Sequence, residues 1–349
     1  MSPPASGTDQ KTAPNAVIFG CAGLELTSAE RAFFGGCNPL GLILFARNIE
    51  TPDQVRALTS EFADVVAYAT PLILIDQEGG RVARLGPPHW RDTLPAKVFG
   101  DRFQENRKQA LTAARLNAEI QALDLAMLGI NVNCTPVADL AWPDTHEIIG
   151  DRAFSNEAKE VAALARAVCE GHLAAGVMPV VKHVPGHGRA TADSHLELPV
   201  VDASREELEA SDFDSFRLLA DMPAAMTAHI VYSAFDDVNP ATQSSTVITD
   251  VIRNHIGFDG LLMSDDLGMK ALGGDFDDRA RRSLAAGCDV ALHCSGDFDE
   301  MVAVADGVGA LDDVAIGRLE RALLALSQTA GAPVDRDDLL NKFATLMAR

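Results

Sequence analysis

The sequence predicts a single-domain (β/α)8 barrel of the TIM type, and three observations support it. Eight short apolar, β-branched runs recur along the 349 residues. Amphipathic helical patterns lie between them. The joins repeat as a helix end, a glycine and then a strand. A doubly wound sheet is the alternative, but no Gly-x-Gly-x-x-Gly fingerprint opens a helix after an early strand. A chain of this length is common for a closed barrel, and no internal linker rich in Gly, Ser or Pro sets off a second domain. Residues 1–15, rich in Pro, Ser and Thr, read as a disordered tail, and residues 16–349 as the barrel with its C-terminal helices.

The expected strands are Ala16 to Phe19, Gly41 to Phe45, Leu72 to Ile75, Ile130 to Asn133, Met178 to Val181, Ala224 to Thr227, Gly260 to Met263 and Val290 to Leu292. Most are apolar on both faces, as strands covered by helices must be. Thr27 with Glu30 forms a capping box for the first helix. Leu116, Ile120, Leu123 and Met127 keep helical spacing up to Gly129. Val161, Leu164 and Val168 do the same in the helix ending at Gly176. The recurring joins are Gly129-Ile130, Gly176-Val177, Gly257-Phe258 and Gly287-Cys288, each glycine being free to take positive φ. From about Val334 an acidic turn leads into a last helix.

Composition narrows the function. Lys plus Arg is 29 against 50 Asp plus Glu, a net charge of −21 with no basic run, which argues against nucleic acid and anionic membrane as partners. The six cysteines are scattered without a Cys-x-x-Cys pair and read as reduced core thiols. The N-terminus lacks a basic start and an apolar stretch of signal length, and no run of about 18 apolar residues occurs. A soluble, cytoplasmic monomer acting on a small molecule, without a cofactor, is expected.

In such a barrel the active site lies at the C-terminal ends of the strands. Polar residues stand there repeatedly: Asp76 to Arg84 after the third run, Asp139 after the fourth, Lys182 and His183 after the fifth, His229 after the sixth, and Ser264-Asp265-Asp266 after the seventh. Asp265 is either a helix cap or, given an acid/base candidate elsewhere, a nucleophilic carboxylate. Asp266 alternates to the other side and suits a structural pairing.

Asp193-Ser194-His195 admits three readings. It is a hydrogen-bonded loop histidine, a dyad in which Asp193 orients His195 for proton transfer, or, with His183 and His187, a metal ligand set. The loop's Gly188, Ala190 and Ala192 give poor support to a rigid metal shell, so no metal is assigned. Asp76 with Arg84 suits hydroxyl recognition in a polyol pocket, the alternative being a salt bridge that closes the loop. With only Trp90, Trp142, Tyr68 and Tyr232 beyond the phenylalanines, a pocket for one sugar unit fits better than a long polysaccharide groove.

These residues resemble the family-three glycoside hydrolases and, within them, the bacterial β-N-acetylhexosaminidases of the NagZ type. The likeness is carried by Gly41 to Asn48, Asp76-Gln77-Glu78-Gly79-Gly80 with Val82 and Arg84, Ile149 to Phe154, Lys182-His183-Val184-Pro185-Gly186-His187-Gly188, Asp193-Ser194-His195 and Ser264 to Met269, in the family's order. The resemblance implies a retaining enzyme that removes terminal β-linked N-acetylglucosamine. Asp265 would be its nucleophile and His195, assisted by Asp193, its acid/base. Asp76, Arg84, Arg152, Lys182 and His183 would hold the sugar. It also implies a peptidoglycan fragment as substrate, N-acetylglucosamine linked to 1,6-anhydro-N-acetylmuramic acid with or without peptide. Three rivals draw on the same residues: a phosphorylase on the same fold, a metal-dependent barrel hydrolase, and a non-catalytic sugar sensor, which would have no need of Asp265 and the dyad together.

Overall fold

The computed structural model describes residues 13–143, 145–329 and 335–348. Its strands are β1 (Asn15–Phe19), β2 (Pro39–Leu44), β3 (Leu72–Ile75), β4 (Val132–Asn133), β5 (Met178–Val184), β6 (Val200–Val201), β7 (Ala224–Thr227), β8 (Val231–Tyr232), β9 (Leu261–Asp266) and β10 (Val290–His293). Eight of them close a parallel barrel in the order β1-β10-β9-β7-β5-β4-β3-β2. All eight expected strands are present. Residues 1–12 of the expected tail lie outside the described residues, and β1 starts at Asn15.

Alternation along each strand builds two apolar layers. Ile18, Leu74, Val132, Met178, Val180, Met226, Met263 and Leu292 share one buried cluster. Val17, Phe19, Leu42, Leu44, Ile73 and Ile75 belong to another, with helix residues such as Phe34, Leu58 and Phe62. Strands apolar on both faces can be satisfied only by this arrangement. Helix α1 (Ser28–Cys37) carries the Thr27–Glu30 capping box, and α2 spans Pro52–Val65, α3 Ala96–Glu105, α4 Arg107–Ala126 and α5 Ala158–Ala174. All four join glycines adopt positive φ, between 75° and 119°.

Three expectations are corrected. Met127 does not continue the buried stripe of α4; the helix ends at Ala126 and Met127, at its C-cap, is 65% exposed because the chain is already turning away. The fifth and seventh strands run past their apolar stretches, to Val184 and Asp266, so Lys182, His183 and Asp265 stand within strands and not after them. Pairing with β7 and β10 continues where hydrophobicity stops. The cysteines are all free, but Cys37 is only partly buried. Beyond the eight expected strands, β6 and β8 form a separate two-stranded ladder, Val200 against Val231 and Val201 against Tyr232. It fastens the exit of the long loop after β5 to the barrel rim.

Candidate active site

Asp76 and Glu78 leave β3 in extended chain, and spacing of two puts both side chains on one side. Between them Gln77 points the other way and pins the loop. Its Oε1 accepts from the Arg84 and Leu85 N–H groups at 2.8 and 2.9 Å, and its Nε2 donates to the Leu85 carbonyl at 3.0 Å. Arg84 is thereby returned to Asp76, to which it donates at 3.2 Å. Gly79 and Gly80, with φ of 114° and 57°, make the reversal, and a Cβ on Gly79 would lie 2.2 Å from the Leu94 carbonyl oxygen. Asn133 holds the Gln77 backbone by both its N–H and its carbonyl, at 2.9 and 3.0 Å, and is itself braced by buried His172.

Lys182, inside β5, lies 2.8 Å from Asp76 and 2.7 Å from Glu78. Arg152 grips Glu78 from the other side with two bonds of 2.8 and 2.9 Å. The result is a row, Arg84, Asp76, Lys182, Glu78, Arg152, in which three cations face two carboxylates. Burial opposes the charge on Lys182, but Asp76 and Glu78 outweigh it and hold the ammonium well above its usual range. Burial likewise opposes ionised Glu78, and Arg152 and Lys182 reverse that. The Arg84 and Arg47 guanidinium groups lie 5.2 and 5.0 Å from the Phe45 ring centroid.

A cavity of about 400 Å³ opens over this row. Asp76, Arg84, Arg152, Lys182, His183, His195 and Asp265 all line it, so residues from four barrel strands and their loops converge as the barrel geometry requires. Asp193 is not part of the lining; its Oδ1 lies 2.9 Å from His195 Nδ1. Arg152, which also lines the cavity, directs three of its N–H groups to Glu78 and the Ile148 carbonyl. Asp76 and Arg84 form the salt bridge that closes the loop, and both line the cavity.

Asp265 sits on the cavity floor, accepting from the Asp266 N–H at 2.8 Å. Burial would raise its pKa, but the imidazoles of His229 and His183 and that N–H hold it below the ordinary value, so the carboxylate is ionised. Asp266 accepts from the Gly268 and Cys294 N–H groups at 2.9 and 3.0 Å, the structural pairing expected of it. His229 is buried and spanned between Thr242 and the Asp266 carbonyl.

Fully buried Asp139 explains two histidines. It accepts from the His187 N–H at 2.6 Å and contacts His183 Nδ1 at 2.7 Å. His183, His187, Asp193 and His195 do not converge on one point. His183 is engaged by Asp139, His187 Nε2 by Ser194 and His195 Nδ1 by Asp193. Among the described residues no group of three or more His, Cys, Asp or Glu is disposed to hold a metal ion. Sequence reasoning missed Glu78, Gln77 and Arg47. The spacing of Glu78 from Asp76 was the available signal for the first.

Buried His172 and His187 give a pH prediction. Burial pushes both pKa values down to about 4 from 6.5, with the His183 imidazole adding to the effect at His187. Between those limits the unfolded chain binds more protons, so stability is full above about 6.5 and falls as pH drops toward 4. The slope should approach roughly 1.4 kcal/mol per pH unit for each histidine. Urea midpoints at pH 7 and pH 4.5 check this, and equal midpoints would count against it.

Residues 36–324 match the model of the glycosyl hydrolase family 3 N terminal domain. A beta-hexosaminidase of Chromobacterium violaceum is 42% identical over 287 residues, covering 80% of this chain and 78% of that protein. Among solved structures, NagZ of Neisseria gonorrhoeae in complex with N-trifluoroacetyl-D-glucosamine superposes with a TM-score of 0.84 at 32% identity, covering 97% of this chain and 99% of that one. A family 3 beta-N-acetylglucosaminidase from a Paenibacillus species gives 0.81 at 30% identity, covering 95% of this chain and 67% of that one. No described helix is long and apolar enough to cross a membrane.

Proposed function

This chain belongs to glycosyl hydrolase family 3 and is a glycoside hydrolase; on that footing we propose a retaining β-N-acetylglucosaminidase acting on peptidoglycan fragments. The substrate is N-acetylglucosamine linked to 1,6-anhydro-N-acetylmuramic acid, with or without stem peptide, met in the cytoplasm during cell-wall recycling. One observation carries the reading: an ionised carboxylate, Asp265, and a histidine backed by its own carboxylate, His195 with Asp193, serve one sugar-sized cavity. The relatives named for hexosaminidase activity supply the substrate class.

In the first step the Asp265 carboxylate attacks the anomeric carbon while His195 gives its Nε2 proton to the departing oxygen. The glycosidic bond breaks and a glycosyl ester forms on Asp265. In the second, His195 takes a proton from water, which attacks the anomeric carbon and frees Asp265. Asp193 at Nδ1 orients the imidazole and stabilises its cationic form. The chain's excess of negative charge disfavours an anionic muropeptide at a distance; any attraction is local, through cations such as Arg84 and Lys182 in the cavity wall.

Incubation with the anhydro-disaccharide should release free N-acetylglucosamine, and an unchanged disaccharide would refute the substrate assignment. The second reading, a phosphorylase, draws on an acid/base that carries no negative charge itself. Release of sugar 1-phosphate in phosphate buffer would favour it. Arg84→Ala should raise KM by about 10- to 100-fold, the loss expected of charge-assisted hydrogen bonds, with Tm nearly kept. An unfolded product would instead make Arg84 a structural residue.

A further inference from the structure

Asp193 and His195 are bonded to each other and to little else. Asp193 Oδ1 accepts the His195 N–H at 2.9 Å and meets Nδ1 at the same distance. Among the described residues neither side chain has a hydrogen bond to any other part of the chain, and the His195 side chain is 58% exposed. These contacts fix the imidazole against its carboxylate, yet they leave the pair unplaced relative to the sugar.

The residue between them supplies the placement. Ser194 is buried; its Oγ shares a 3.3 Å hydrogen bond with His187 Nε2, and its carbonyl accepts from the Ala271 N–H at 3.2 Å. His187 belongs to the barrel side. Its N–H donates to Asp139, which also orients His183 on the cavity wall. Among the described residues His187 Nδ1 is buried without a partner, so Ser194 is the hydrogen-bond partner its ring has there.

We propose that Ser194 and His187 are positioning residues that hook the acid/base dyad to Asp139, the same carboxylate that orients the sugar-binding His183. The sugar seat and the proton donor thereby share one anchor. A side-chain bond of 3.3 Å is at the long end of the range, which suits a contact that holds the loop without locking it. The inference rests on His195 being the acid/base.

The test compares kcat/KM on an activated nitrophenyl β-N-acetylglucosaminide and on an unactivated alkyl one. Ser194→Ala should lose roughly 10- to 100-fold on the alkyl substrate, as misplacement of a proton donor does, and about twofold or less on the nitrophenyl one. His187→Leu should behave the same way, and His187→Gln, whose amide reaches toward the position of Nε2, should recover most of the loss. Should Ser194→Ala fail to fold, the His187 pair supplies the same comparison. Equal losses on both substrates, or none on either, in variants made alongside a His195→Ala that does discriminate, would overturn the hook. Equal losses in His195→Ala itself would overturn the acid/base reading and the hook with it.

Discussion

Replacing Asp265 by alanine is expected to reduce turnover by at least about 10⁴-fold, the scale on which removal of a covalent nucleophile is felt, while leaving the chain folded. The two halves of this expectation have one physical source. Asp265 is a carboxylate held ionised by the Asp266 N–H and by the imidazoles of His229 and His183. Those neighbours favour the charge in the folded state, so its removal should lower Tm modestly and leave the chain folded. Activity assays beside thermal melts check both, and near-normal turnover would remove Asp265 as nucleophile.

His195→Ala should cost about 10²- to 10⁴-fold on a substrate whose leaving group needs a proton, the usual worth of a general acid, and much less on an activated aryl glycoside. Alanine removes the donor but not the nucleophile, so the defect should scale with the basicity of the departing oxygen. The side chain is 58% exposed, so lost packing should blur the comparison little. Equal losses across a series of aryl glycosides would contradict proton donation.

The barrel was legible because strands apolar on both faces leave an unmistakable pattern, and glycine joins mark the helix ends. What escaped were features that hydrophobicity does not record. The polar ends of β5 and β9 carry Lys182, His183 and Asp265, and the apolar runs stop before them. The two-residue strands β6 and β8 are too short for any periodicity. In the site, residue types at strand ends announced the chemistry, and the family resemblance assigned the roles. The pairing of Arg152 with Glu78 joins segments 74 positions apart, and the hook from Ser194 through His187 to Asp139 is equally invisible along the chain. Such contacts are set by how the strands close, which spacing along one strand does not encode.

A slow fluorinated N-acetylglucosaminyl donor, followed by proteolysis and mass spectrometry, tests the mechanism most directly. A covalent sugar on the peptide containing Asp265 is the expected result. A chain that turns over the substrate yet carries no sugar there would contradict the covalent nucleophile and point to attack by the substrate's own acetamido group.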